Sequence, residues 1–392
     1  MIRKNIVLTL SFFLFAITSE FKARAQMYPR HSSDFARADT TRKPNIKQRL
    51  ILQLEHENGG MLPNNPEIKE RFKDIYYNGL NLKVGWQSDR SDDIYQQLYN
   101  YPIYGIGFYA STFGLESIGK PWAVYGFVAI PISPRFDSRW NFNYRISLGL
   151  SGNFNPYNQE TNPVNTLVGS HKNAFIDVGF QTNYRLTQHF QVGAGLAFHH
   201  FSNGSLVQPN KGINLIPFTV AVTYIPSTQE PDFSKGQVPH LQPNNQFHLQ
   251  IAAGVKEFKP DDRQQFFKST LGAYWSHSLG YKWRLGAGMD VFYSSSGNYT
   301  RFAGEQEGKF GSLFSVGTVL YIDHVLTHNL YLNGNVGYYL HHNEFNGELQ
   351  PYYLRIGIRR NVFRDFFVGM SIKAHKGKAD YIEWTTGYTF GR

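Results

Sequence analysis

The sequence predicts an all-β transmembrane protein: an antiparallel β-barrel of eight strands followed by a second eight-strand unit. Three observations lead there. Aromatic residues make up 16% of the chain and charged residues only 17%, a balance that suits strands with one wet and one greasy face. Alternating segments recur along the chain, most of them about the length of a tilted bilayer-spanning strand. A Pro-rich polar stretch then divides the set into two groups of eight. A single sixteen-stranded barrel is the alternative. Closure is required in either case, because a bilayer tolerates no open sheet edge.

The first residues, MIRKNIVLTLSFFLFAITSEFKARAQ, combine a basic start, an apolar run from Ile6 to Thr18 and the small-x-small exit Ala23-Arg24-Ala25. They are expected to be a signal peptide, 1–25, cleaved after Ala25. A membrane anchor helix would need about 18 or more apolar residues, and this run is shorter. Residues 26–49 are polar and aperiodic and are expected to form a periplasmic arm. The chain has no Cys, so an exported protein of this composition holds together without disulfides. The formal charge of +10 is scattered rather than clustered. That argues against a nucleic-acid partner and is compatible with an anionic membrane surface.

Strands of the first barrel, 50–226, are expected at Leu50–His56, Tyr77–Gln87, Pro102–Thr112, Pro121–Pro131, Trp140–Phe154, Ala174–Leu186, His189–Ser202 and Ile213–Tyr224. Counted from a periplasmic N-terminus, the long connections Glu57–Ile75 and Asn155–Lys172 fall outside, as membrane barrels prefer. Ser88–Tyr101 is a periplasmic connection longer than that pattern favours, and no helix is expected anywhere. Residues 227–244 read as a periplasmic linker. Strands of the second unit, 245–392, are expected at Gln246–Phe258, Gln265–Ser278, Lys282–Tyr293, Leu313–Ile322, Leu330–Leu340, Tyr352–Ile358, Phe366–Ala374 and Tyr381–Phe390. A weak internal echo links LTQHFQVGAGLAFHHFSNG, from Leu186, to LTHNLYLNGNVGYYLHHNEFNG, from Leu326.

One stretch carries candidate chemistry. In the segment from Phe190, the alternate residues Phe190, Val192, Ala194, Leu196 and Phe198 are apolar, and the row ends in His200 and Ser202. Side chains two apart on a strand share a face. His200 and Ser202 therefore stand side by side at the rim of the lipid-facing wall. The next strand places Asn214 at the head of the row Ile216, Phe218, Val220, Val222 and Tyr224. A Ser hydroxyl needs a base, usually His, and the base needs a third group to hold its tautomer. Ser202, His200 and Asn214 fit those three roles. Asn203, Gly204 and Asn210 in the joining loop are candidate donors to an oxyanion. At a lipid–water boundary the natural substrate is an ester of a membrane lipid.

Other polar residues are expected to be structural. Glu55 and Glu57 point inward or sit at the rim, His199 lies on the interior row, and His56 faces outward as a minor helper. Lys373, His375, Lys376, Asp380 and Glu383 are expected to line an interior. His341 and His342 are adjacent and so lie on opposite faces, which disfavours a metal site. No metal ligand is assigned.

The run His200-Phe201-Ser202-Asn203-Gly204, followed by Pro209-Asn210-Lys211-Gly212-Ile213-Asn214, resembles the outer-membrane lipid A 3-O-deacylase (PagL) family, also called acyloxyacyl hydrolases. The resemblance covers about residues 50–226 by architecture and His200–Asn214 by motif. It implies an eight-stranded barrel whose site lies on the outer wall near the end of strand seven. It also implies Ser202 as nucleophile, His200 as base, the lipid A of outer-leaflet lipopolysaccharide as substrate, no cofactor, and a bacterial outer-membrane location. The family has Glu where this chain has Asn214. Outer-membrane phospholipase A instead pairs a His-x-Ser-Asn-Gly run with a later Asn, and has twelve strands and a dependence on Ca2+ and dimerisation. An outer-membrane phospholipase A is thus the second reading, and a non-catalytic pore or structural barrel the third. Neither the oligomeric state nor the role of 245–392 beyond its strands is readable.

Overall fold

A computed structural model describes residues 49–63, 66–72, 75–132, 138–228, 233, 235–260 and 262–391. The expected signal peptide, 1–25, and all of the expected arm, 26–49, except Arg49 lie outside those residues, as do parts of the expected linker. The first eight strands are β1 (Leu50–Met61), β2 (Tyr76–Gln87), β3 (Ile103–Thr112), β4 (Gly119–Pro131), β5 (Trp140–Phe154), β6 (Asn173–Arg185), β7 (Phe190–Ser202) and β8 (Ile213–Tyr224). They pair in sequence order, and β1 pairs with β8, so the sheet closes into a barrel. The second eight are β9 (Asn245–Lys259), β10 (Asp262–Ser278), β11 (Trp283–Ser294), β12 (Phe314–Val325), β13 (Leu330–His341), β14 (Tyr352–Phe363), β15 (Phe366–His375) and β16 (Lys378–Phe390), and they close into a barrel of their own. The architecture is therefore two barrels of eight and not one of sixteen.

By packing, the chain forms two compact units. One runs to Ser202 and resumes over Gly212–Val238; the other joins Asn203–Lys211 to Pro239–Arg392.

Alternation sets the two faces of each wall. In the first barrel Leu54, Leu82, Phe180 and Leu196 lie outward, with Leu196 58% exposed. The interior is filled from one end by Tyr77, Tyr109, Tyr125, Phe175 and Phe201. Below them runs a network of buried charge. Lys83 Nζ lies 2.5 Å from Glu55 Oε1, Arg145 Nη1 is 3.4 Å from the same oxygen, and Arg145 Nε is 2.8 Å from Asp177 Oδ2. Such pairs are tolerated out of water because each charge is matched and hydrogen-bonded. The second barrel uses the same device. Arg355 Nη1 lies 3.0 Å from Asp290 Oδ2, and its Nε is 2.5 Å from Glu383 Oε2.

Two features depart from the sequence reading. β1 continues to Met61, because Glu57, Asn58, Gly59 and Gly60 still pair with β2 and β8 after the apolar alternation has stopped. At Gly59 a Cβ would overlap the backbone of Ile216 and Pro217. Short helices also exist, including α1 (Pro66–Phe72) and α2 (Ile94–Leu98). Asp93 caps α2: its Oδ1 accepts from the N–H groups of Tyr95 at 3.0 Å and Gln96 at 3.2 Å. This helix accounts for the long Ser88–Tyr101 connection. The chain after β8 returns to it, with Lys235 Nζ donating to Asn100 Oδ1 at 2.6 Å and Phe233 packing on Tyr101.

Candidate active site

On β7, His199 and Phe201 are fully buried in the barrel, while Leu196 and Phe198 face out. His200 and Ser202 share the outward row, and they pair across β6 with Ile176 and Ala174. His200 is half-buried and Ser202 is 4% exposed. Across the other ladder His200 is the direct partner of Asn214. Their side chains meet, with His200 Nδ1 2.6 Å from Asn214 Oδ1. An amide oxygen only accepts, so Nδ1 carries the proton. A neutral ring then presents Nε2 as its basic nitrogen.

Gly212 makes this arrangement possible, and the sequence reading missed it. Its φ is +76°, a left-handed conformation that glycine adopts without strain. A Cβ there would stand 3.0 Å from Cε1 of His200. The Gly212 N–H donates to Leu167 O at 2.9 Å, and Leu167 and Val168 are fully buried in the core cluster that contains Phe154, Phe201 and Ile213. The loop 155–172 thus packs under the start of β8 and fixes the height of Asn214.

The loop residues proposed as donors are largely occupied with one another. Asn203 N–H donates to Asn210 Oδ1 at 3.1 Å, and Asn203 Nδ2 donates to Val207 O at 2.9 Å. These bonds brace the loop, so the backbone N–H of Asn203 is not an open donor. Gly204 and Ser205 both have left-handed φ, +62° and +63°.

The remaining polar candidates are accounted for by packing. Glu57 Oε2 lies 2.7 Å from His199 Nε2, and Asp177 Oδ1 is 3.2 Å from His199 Nδ1, all inside the barrel and on the opposite face from His200. Glu55 is held by Lys83 and Arg145. His56 is exposed, but its cross-strand partner is Val220, which pairs with Ala194. That register is six residues down β7 from His200, too far for a helper. In the second barrel Lys373, His375, Asp380 and Glu383 are interior, whereas Lys376 is exposed at the β15–β16 turn with φ +50°. Lys376 therefore does not line the interior as expected, because it lies in the turn between His375, the last residue of β15, and Lys378, the first of β16. Among the described residues no group of three or more His, Cys, Asp or Glu is arranged to hold a metal ion.

Residues 80–223 match the family model described as Lipid A 3-O-deacylase (PagL), and residues 245–392 match that described as Acyloxyacyl hydrolase, C-terminal domain. No curated protein matches the chain. Similar solved structures include Neisserial surface protein A (NspA), at 11% identity and TM-score 0.30, covering 45% of this chain and 96% of that one. The outer membrane enzyme PagL aligns at 14% identity and TM-score 0.29, covering 43% and 97%. The siderophore receptor PirA from Pseudomonas aeruginosa aligns at 9% identity and TM-score 0.24, covering 89% and 81%. The first barrel thus contains a segment similar to the lipid A 3-O-deacylase (PagL) family, and the second barrel is similar to the acyloxyacyl hydrolase C-terminal domain.

Proposed function

We propose that the chain is an outer-membrane serine esterase that removes an ester-linked acyl chain from lipid A. The observation that carries this reading is the His200–Asn214 bond, 2.6 Å long, on the same outward row as Leu196 and Phe198. It gives an oriented imidazole at a wall that meets hydrocarbon. Ser202, two residues along the same face, attacks the ester carbonyl while Nε2 of His200 takes its proton. The tetrahedral intermediate collapses, the sugar oxygen leaves with that proton, and the acyl group stays on Ser202. Water, deprotonated by the same nitrogen, then releases the fatty acid. The two family matches and the outward apolar walls support an outer-membrane setting with outer-leaflet lipopolysaccharide as partner. No cofactor is required by this scheme.

The amide at position 214 favours the second reading, an outer-membrane phospholipase A. The purified full chain, offered lipopolysaccharide or phospholipid vesicles with Ca2+ or with a chelator, separates them. Fatty acid released from lipopolysaccharide in the presence of chelator supports the deacylase. Release from phospholipid that needs Ca2+ supports the phospholipase. No release from either lipid leaves a non-catalytic barrel.

A further inference from the structure

His199 is the residue before the candidate base, and its ring is fully buried inside the first barrel, on the face opposite His200. Its Nε2 lies 2.7 Å from Glu57 Oε2 of β1. Its Nδ1 lies 3.2 Å from Asp177 Oδ1 of β6, and Asp177 is also its direct partner in the β6–β7 ladder. Tyr109 of β3 and Phe175 of β6 pack against the ring, with centroids 5.5 and 5.4 Å away.

A neutral imidazole has one N–H and a charged one has two. Both carboxylates facing this ring are already surrounded by donors, the environment of an ionised group. Glu57 accepts from Asn81 Nδ2 at Oε1, and from the Tyr77 hydroxyl at Oε2 over 3.3 Å. Tyr125 donates to Asn81 Oδ1 at 2.8 Å, which turns the amide's Nδ2 toward Glu57. Asp177 Oδ2 accepts from Arg145 Nε at 2.8 Å and Ser147 Oγ at 2.6 Å, and its Oδ1 accepts from Arg145 Nη2 at 3.3 Å. Ionised carboxylates only accept. A bare nitrogen on either side of His199 would therefore set a lone pair against an anion.

The charge count agrees. Among the described residues, the charged side chains buried on the inner face of this barrel's strands are Glu55, Glu57 and Asp177 against Lys83 and Arg145; Asp93, also buried, caps α2. Buried charge is tolerated when it is matched. A charged His199 makes the count three against three.

We infer that His199 is an imidazolium, the third cation of the first barrel's core, and that it is a positioning residue for His200. From the inside it ties β7 to β1 and β6, one peptide bond from the imidazole that Asn214 orients on the outside. The positioning role rests on the esterase reading above; the charge does not. A displacement of about 1 Å at such a site lowers turnover by on the order of 10²-fold.

The test uses the full chain in detergent, with barrel folding followed by its heat-modifiable migration on gels. Nitrogen-15 spectra of histidine-labelled protein are recorded at about pH 7.5, where a solvated imidazole is mostly neutral. The ring signal that disappears in His199→Gln should show two protonated nitrogens; one bare nitrogen overturns the charge. Urea midpoints, and kcat and KM for acyl release from lipopolysaccharide, are then measured on His199→Gln, Glu57→Gln and the double variant. Each single change leaves the core one charge out of balance and should lower the midpoint, whereas the double variant, with two amides that can bond to each other, should recover most of it. Losses that simply add in the double variant overturn the charge count. His199→Gln should lower kcat by about 10- to 100-fold with KM within about twofold, and the double variant should regain most of that rate. Unchanged kcat in folded His199→Gln, or a double variant of wild-type midpoint that stays slow, overturns the positioning role. If His199→Gln does not fold, the double variant identifies the ring signal, and Glu57→Gln, which releases one of the two ties, decides the positioning role by whether kcat falls. Failure of the esterase reading is distinct: full activity in Ser202→Ala, or none in the wild type, sinks that reading while the ring spectrum and the midpoints still decide the charge.

Discussion

Asn214 stands directly opposite His200 in the β7–β8 ladder, with its Oδ1 2.6 Å from the imidazole Nδ1. The family expectation puts Glu at this position. An amide accepts the same hydrogen bond and fixes the same tautomer, but adds no charge to stabilise an imidazolium.

Asn214→Ala removes the orienting group. The expected result is a loss of kcat on the order of 10²-fold with the barrel still folded, while Asn214→Asp retains or raises the rate. Steady-state kinetics of acyl release measure it. Wild-type kcat in Asn214→Ala would remove Asn214 from the mechanism.

Leu196 shares its row with His200 and is 58% exposed on the first barrel's outer wall. If that wall meets lipid, Leu196→Arg lowers folding stability by about 2–4 kcal/mol near the bilayer midplane. Urea titration in lipid vesicles reads this as a shift of the unfolding midpoint. An unshifted midpoint would mean the wall does not face hydrocarbon.

Arg145 joins Asp177 at 2.8 Å and Glu55 at 3.4 Å inside the same barrel. Arg145→Leu leaves two buried carboxylates short of a cation, which is expected to destabilise by about 3–5 kcal/mol. The same titration tests it. A change below about 1 kcal/mol would show that Lys83 and His199 compensate fully.

The parts legible in the sequence were those governed by short-range rules. Alternation from Phe190 to Ser202 assigned His199 to the interior and His200 to the wall, because a strand's side-chain period is two residues. The position of Asn214 beside His200 was legible because a hairpin's register brings the heads of two apolar rows together. What depended on contacts distant in sequence was not legible. Glu257 of β9 accepts from the Gln208 N–H and donates its own N–H to Ser205 O, contacts that nothing near it in sequence announces. Asn203 and Asn210 looked like open donors, but their bond to each other needs the loop's folded shape. The extension of β1 past His56 was hidden because backbone pairing continues where hydropathy alternation ends. The helix α2 is too short to give a periodic signal, and only its cap, Asp93, marks it.

Mass analysis of lipid A from cells producing the wild-type chain or Ser202→Ala tests the main claim. Wild-type cells should carry lipid A short of one ester-linked acyl chain, and Ser202→Ala cells, with the barrel present in the outer membrane at equal abundance, should retain it. Equal acyl numbers in the two populations would contradict the assignment of Ser202 as the nucleophile of a lipid A deacylase.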